Sequence, residues 1–110
     1  MNKETRKEIK ETFEALGKIL SQAGSAEVLV KSTPGFEELL TKAKAYSQHL
    51  DMEGVEKRHD NDICFDIAKA VEAVEICQSE VRQGREGDEW LKTARERIRG
   101  VNDRLKDWVV

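Results

Sequence analysis

The sequence predicts an all-α fold, an antiparallel four-helix bundle with coiled-coil-like packing, and three observations predict it. Apolar residues recur in four stretches with alternating steps of four and three. That spacing averages about 3.5 residues and sets each group on one narrow helix face, the seam that bundled helices bury against each other. Charged residues make up 37% of the 110 residues, beside 38% hydrophobic, so every seam has a solvated face to balance it. A single proline leaves long helices uninterrupted. The alternative topology is a three-helix core with the first helix protruding or exchanged with another chain.

The first helix starts near Thr5, whose hydroxyl and Glu8 have the spacing of a capping box. Its seam is Ile9, Phe13, Leu16, Leu20 and Ala23, and Gly24 is placed to close it in the left-handed conformation. Residues 25–31 follow, where Val28, Leu29 and Val30 make a short β-branched run compatible with a strand or one helical turn. No second strand candidate exists to pair with it, so a short helix or an extended connector over the core is expected. The second helix opens at Thr33-Pro34, with Thr33 as N-cap and Glu37 and Glu38 in its first turn. Its seam is Phe36, Leu39/Leu40, Ala43, Tyr46/Ser47 and Leu50, and it stops between Met52 and Gly54.

The third helix begins between Val55 and Asn61 and runs to Gln83, along Ile63, Ile67, Ala70, Val74, Cys77 and Val81. Gly84 and Gly87 bracket a short turn. Asp88 then caps a fourth helix, seamed by Leu91, Ala94, Ile98, Val101, Leu105 and Trp108, that runs to the C-terminus. Short connections favour antiparallel neighbours among the last three helices, whereas the longer link from Gly24 to Thr33 leaves the first one freer. Gly17 and Gly100 lie inside helical patterns, where each costs about 1 kcal/mol relative to alanine, and both are expected to mark close helix approach.

The length suits one domain spanning 1–110. Net charge is −3, from 19 basic and 22 acidic residues. Residues 1–55 carry eight basic and nine acidic side chains and residues 56–110 eleven and thirteen, so neither half has the electrostatic footprint of a nucleic-acid binder. Cys64 and Cys77 stand thirteen residues apart on one helix, about 20 Å along its axis, too far for an intrachain disulfide. They read as buried thiols of a reducing compartment. The N-terminal MNKETRKEIKE is charged throughout and no apolar run approaches the ~18 residues of a membrane span, which predicts a cytoplasmic protein with no membrane contact.

No catalytic constellation stands out. His59, Asp62 and Asp66 share a helix face at i, i+3, i+7 if the third helix starts early, but one face seldom encloses an ion, and acidic residues at a helix start explain the group more simply. His49 suits the last turn of the second helix. Asp62 and Asp66 surround Cys64 with negative charge, which disfavours a reactive thiolate. The glycines are scattered, with no phosphate-cradling loop. No metal, cofactor or enzymatic activity is therefore expected.

The last helix carries Lys92, Arg95, Arg97, Arg99, Arg104 and Lys106, interleaved with Glu89, Glu96, Asp103 and Asp107, a self-compensated solvated face. The expected function is non-enzymatic protein–protein interaction, of the inhibitor, antitoxin or chaperone kind, by a helical face or by assembly with a second copy. Val28, Leu29, Val30, Trp90, Val109 and Val110 have no assigned place in the seams, and with Trp108, which ends the last seam, they mark the expected docking surface, tryptophan being enriched at interfaces. The alternative is nucleic-acid binding through Arg95, Arg99 and Lys106, which the near-neutral charge balance disfavours.

Overall fold

The computed structural model of the chain describes residues 3–52 and 58–106. They form five helices, α1 (Lys3–Gln22), α2 (Ala26–Ser32), α3 (Phe36–Met52), α4 (Arg58–Arg82) and α5 (Asp88–Leu105). No strand occurs among the described residues. The four long helices are those of the four seams; α2 is the segment whose type the sequence leaves open. It is a helix because Ser25 is extended and its Oγ accepts from the Val28 N–H at 3.2 Å, an N-cap at the right spacing.

Side-chain contacts give the directions. Glu37, at the start of α3, accepts from Gln78 at 2.7 Å and Arg82 at 3.0 Å, near the end of α4. Lys44 pairs with Glu75 further along. Arg104, late in α5, pairs with Asp66, early in α4. Asn102 Nδ2 donates to Phe13 O at 3.0 Å, whereas Arg95 reaches Leu20 O, so α5 also runs antiparallel to α1. Helix α1 packs on α3 and α5, α4 packs on the same two, and α2 lies against α4 and α5. The result is an all-helical bundle of 42 × 21 × 20 Å.

The core follows the seams. Ile9, Phe13, Leu16 and Leu20 of α1 expose nothing, so this helix is packed rather than protruding. Each large side chain buried this way contributes about 1.5–3 kcal/mol of hydrophobic stabilisation. Helix α4 is buried over a wider arc than its seam: Cys64, Val71, Ala73 and Gln78 are buried beside Ile63, Ile67, Ala70, Val74, Cys77 and Val81. The reason is its position, with α3 on one side, α5 on the other and α2 near its end.

Several helix ends are closed differently from the local expectation. Gly24 is not among the glycines with positive φ. Instead, the Arg95 guanidinium of α5 donates to Leu20 O at 2.7 Å and Ala23 O at 2.6 Å, satisfying the carbonyls at the end of α1. Thr33 does not cap α3; its hydroxyl donates to Val28 O at 3.2 Å and closes α2. Asp88 does not cap α5, whose N-cap is Gly87. Its carboxylate accepts from the Ala26 N–H at 2.9 Å and so supports the start of α2, 62 residues away. The end of α4 matches expectation: Gly84 takes φ +80, Arg85 N–H donates to Glu80 O at 2.8 Å and Gly84 N–H to Val81 O at 3.0 Å, a Schellman closure.

Candidate functional site

Most polar side chains on α5 act within the fold. Arg95 caps α1 as described, and Arg97 donates to Lys69 O at 3.0 Å. Arg104 pairs with Asp66, and Lys106 with Asp103 at 3.2 Å. Of the three residues named for nucleic acid, Arg99 is exposed and Lys106 is exposed but paired, whereas Arg95 has two nitrogens committed to α1 carbonyls. The structure does not bring the three together as free phosphate donors.

The apolar residues outside the seams are also divided. Leu29 exposes nothing and belongs to the core, which corrects its placement in an outward patch. Helix α2 directs it inward with Ala26, three residues earlier and on the same face. Val30 and Trp90 are partly buried and lean on the same core. Val28 remains outward at 47% exposure. Trp108, Val109 and Val110 lie outside the described residues.

His49, His59 and Asp62 have side chains outside the described residues, and Asp66 is engaged by Arg104. Among the described residues, no three His, Cys, Asp or Glu side chains come together in a group that could hold a metal ion. Neither thiol is in a disulfide, and both are buried. Cys64 Sγ donates to Ser47 O at 3.5 Å and Cys77 Sγ to Gly87 O at 3.7 Å. Burial, reinforced by the nearby Asp88 charge, pushes the Cys77 thiol above its ordinary value and away from the reactive thiolate.

Open clefts mark the surface, and two of them lie between helices. One of about 390 Å³ lies between α2 and the α4–α5 turn, lined by Ser25, Lys31, Arg85, Glu86 and Asp88 among others. The Ala26 N–H holds the Asp88 carboxyl below the usual aspartate range, and a hydrogen bond to Asp88 raises Glu86. This carboxyl pair is bound up with holding α2 in place. The other cleft, about 340 Å³, follows α1 and α5 past Gly17, Arg95 and Asn102.

The outer line of α4 is different in kind. Phe65 is 60% exposed, more than Val28, the other large exposed hydrophobic among the described residues. It stands in a continuous helix with Lys69 Nζ 4.9 Å from its ring centroid, a cation–π contact that shields but does not bury the ring. Ala68 is also exposed and Ile76 partly so. At 100° per residue, Phe65, Lys69, Glu72 and Ile76 fall within about 60° of arc. Helices α3 and α5 flank α4, and α1 packs on the same two from the opposite side, so that line runs along the outside of the bundle away from α1.

The sequence carried a signal for Phe65. It stands two residues from each of the seam members Ile63 and Ile67, hence about 200° from both, facing away from the core. Reading the seams as an account of nearly every large apolar residue passed over it. Ile76 is hidden in the same way between Val74 and Cys77.

No protein-family model, curated protein or solved structure matches this chain.

Proposed function

We propose that this protein is a non-enzymatic interaction module that binds protein through the outward face of α4. The observation that carries the reading is Phe65. A phenylalanine held 60% exposed inside a helix, rather than at a frayed end, gives up most of its burial free energy in the isolated fold. Its rigid backbone, the neighbouring Ala68 and the partly exposed Ile76 supply a preorganised surface of the kind that partner helices dock on. Polar groups elsewhere support the reading by being engaged internally: Arg95, Arg97, Asp66 and Asp88 all hold helices together.

The test is affinity capture from the source cell with three forms of the chain: wild type, Phe65→Ser and Glu11→Ser. Glu11 is exposed on α1 and serves as the surface control. Proteins retained by wild type and Glu11→Ser but lost with Phe65→Ser are the expected result. Identical captures by all three forms would remove α4 from the binding account.

A further inference from the structure

The exposed line of α4 is symmetric about its own midpoint. Phe65 and Ile76 are apolar and eleven residues apart, three full turns to within about 20°. Between them stand Lys69, four residues after Phe65, and Glu72, four before Ile76. Reversing the helix direction therefore sets apolar against apolar and basic against acidic. We infer that the occupant of this face is a second copy of this chain, its α4 lying antiparallel to the first about a two-fold axis level with Ala70 and Val71. Each Phe65 then meets the partner's Ile76, and each Lys69 meets the partner's Glu72. The inference rests on the reading of α4 as a docking surface and names what docks.

Three further observations fit this arrangement. Among the described residues Glu72 has no side-chain ion pair or hydrogen bond although Lys69 is three residues away, because the Lys69 ammonium lies over the Phe65 ring instead. Moving that ammonium to the partner's Glu72 gives the free carboxylate a cation and bares the ring for the partner's Ile76. The same register brings Asp66 near the partner's Glu75, a like-charge approach. Each of these carboxylates already has its own cation, Arg104 for Asp66 and Lys44 for Glu75, so the approach is neutralised in advance. Finally, α4 is the longest helix among the described residues and stands on the side of the bundle opposite α1. An isologous two-fold contact needs this self-complementarity, and a heterologous partner does not.

The experiment is sedimentation analysis over a concentration series of four forms: wild type, Lys69→Glu, Glu72→Lys and the double variant carrying both. Wild type is expected to shift from monomer to dimer as concentration rises. Either single reversal sets like charges across the axis and should weaken association by about tenfold or more. The double variant re-creates the pairing with its signs exchanged and should regain the dimer. An equimolar mixture of the two single variants should form a heterodimer, since both of its pairs between positions 69 and 72 are then Lys against Glu. Both residues are exposed, so thermal unfolding of the single variants, measured at concentrations where wild type is monomeric, should lie close to wild type and show that a lost dimer is not a lost fold. A wild type that stays monomeric throughout overturns the inference, as does a dimer indifferent to the reversals or a double variant that stays apart. A monomer that still captures a different protein through Phe65 overturns the inference alone and leaves the reading of α4 standing.

Discussion

Gly17 and Gly100 look alike in the sequence, each a glycine inside a helical pattern beside a seam residue, and the structure separates them. A methyl group at Gly17 would come 2.9 Å from Asn102 Nδ2, the nitrogen that donates to Phe13 O. One at Gly100 would meet nothing within 4 Å. Gly100→Ala is therefore expected to stabilise the protein by about 0.5–1 kcal/mol through helix propensity. In Gly17→Ala the same gain is opposed by displacing an amide that ties α5 to α1, a hydrogen bond with a net contribution of about 0.5–1.5 kcal/mol. The second variant should be the less stable of the two in urea unfolding; equal stabilisation would show that Asn102 is not held as the structure has it. Asp88 makes a pH-dependent prediction. Its folded pKa lies below its unfolded value, so its contribution is complete above about pH 4 and is lost as pH falls through the lower folded value. Glu86, raised by the same contact, has the opposite sign, contributing at low pH and losing that contribution as pH rises through its raised value. Asp88→Asn keeps an acceptor for Ala26 without the titration, so its unfolding midpoint should drop less than wild type's between about pH 4 and about pH 2. Parallel acid limbs would contradict the assignment.

At the level of elements, helix ends were the least legible part of the sequence, for a definite reason. Capping rules look a few residues along the chain, whereas the groups that close α1 and support α2 come from α5, 72 to 75 and 62 residues away. Thr33, Gly24 and Asp88 all have the right chemistry for the local roles expected of them, and the Thr33 and Asp88 side chains both serve α2 instead. The Arg95 clamp should be costly to remove. Arg95→Ala is expected to lose about 1.5–3 kcal/mol of stability, the range for hydrogen bonds from a charged donor. Arg95→Lys should recover only part of it, because a single ammonium lacks the planar fork that reaches two carbonyls at once. Equal stability of wild type and Arg95→Ala in denaturant titrations would show that water serves the α1 carbonyls as well. Leu29 gives the matching prediction for α2. As a fully buried core residue, its replacement by alanine should cost about 2–5 kcal/mol, whereas Val28→Ala, one residue away and outward, should change little.

For the whole molecule, the seams were legible because a repeat of about 3.5 residues is shared by every long helix and does not depend on which helix lies where. Who neighbours whom was not legible, and the width of each buried face depends on it. Helix α4 is flanked on both sides, so its inward arc takes in Val71 and Ala73 as well as its seam. Its outward line is left as a narrow strip on the side away from α1. Counting apolar residues that fail to fit a seam pointed to Val28–Val30 and Trp90, of which Leu29, Val30 and Trp90 turn out to be core or packed on it. Asking which apolar residues stand opposite a seam points to Phe65 and Ile76. The central claim is that the fold leaves this strip free for protein binding. It is tested most directly by placing a photo-reactive phenylalanine analogue at position 65 and, separately, at exposed position 11, then irradiating cells that make each form. The account predicts discrete protein adducts, a second copy of the chain among them, from position 65 and none from position 11. Adducts equally abundant from both positions, or from neither, would contradict it.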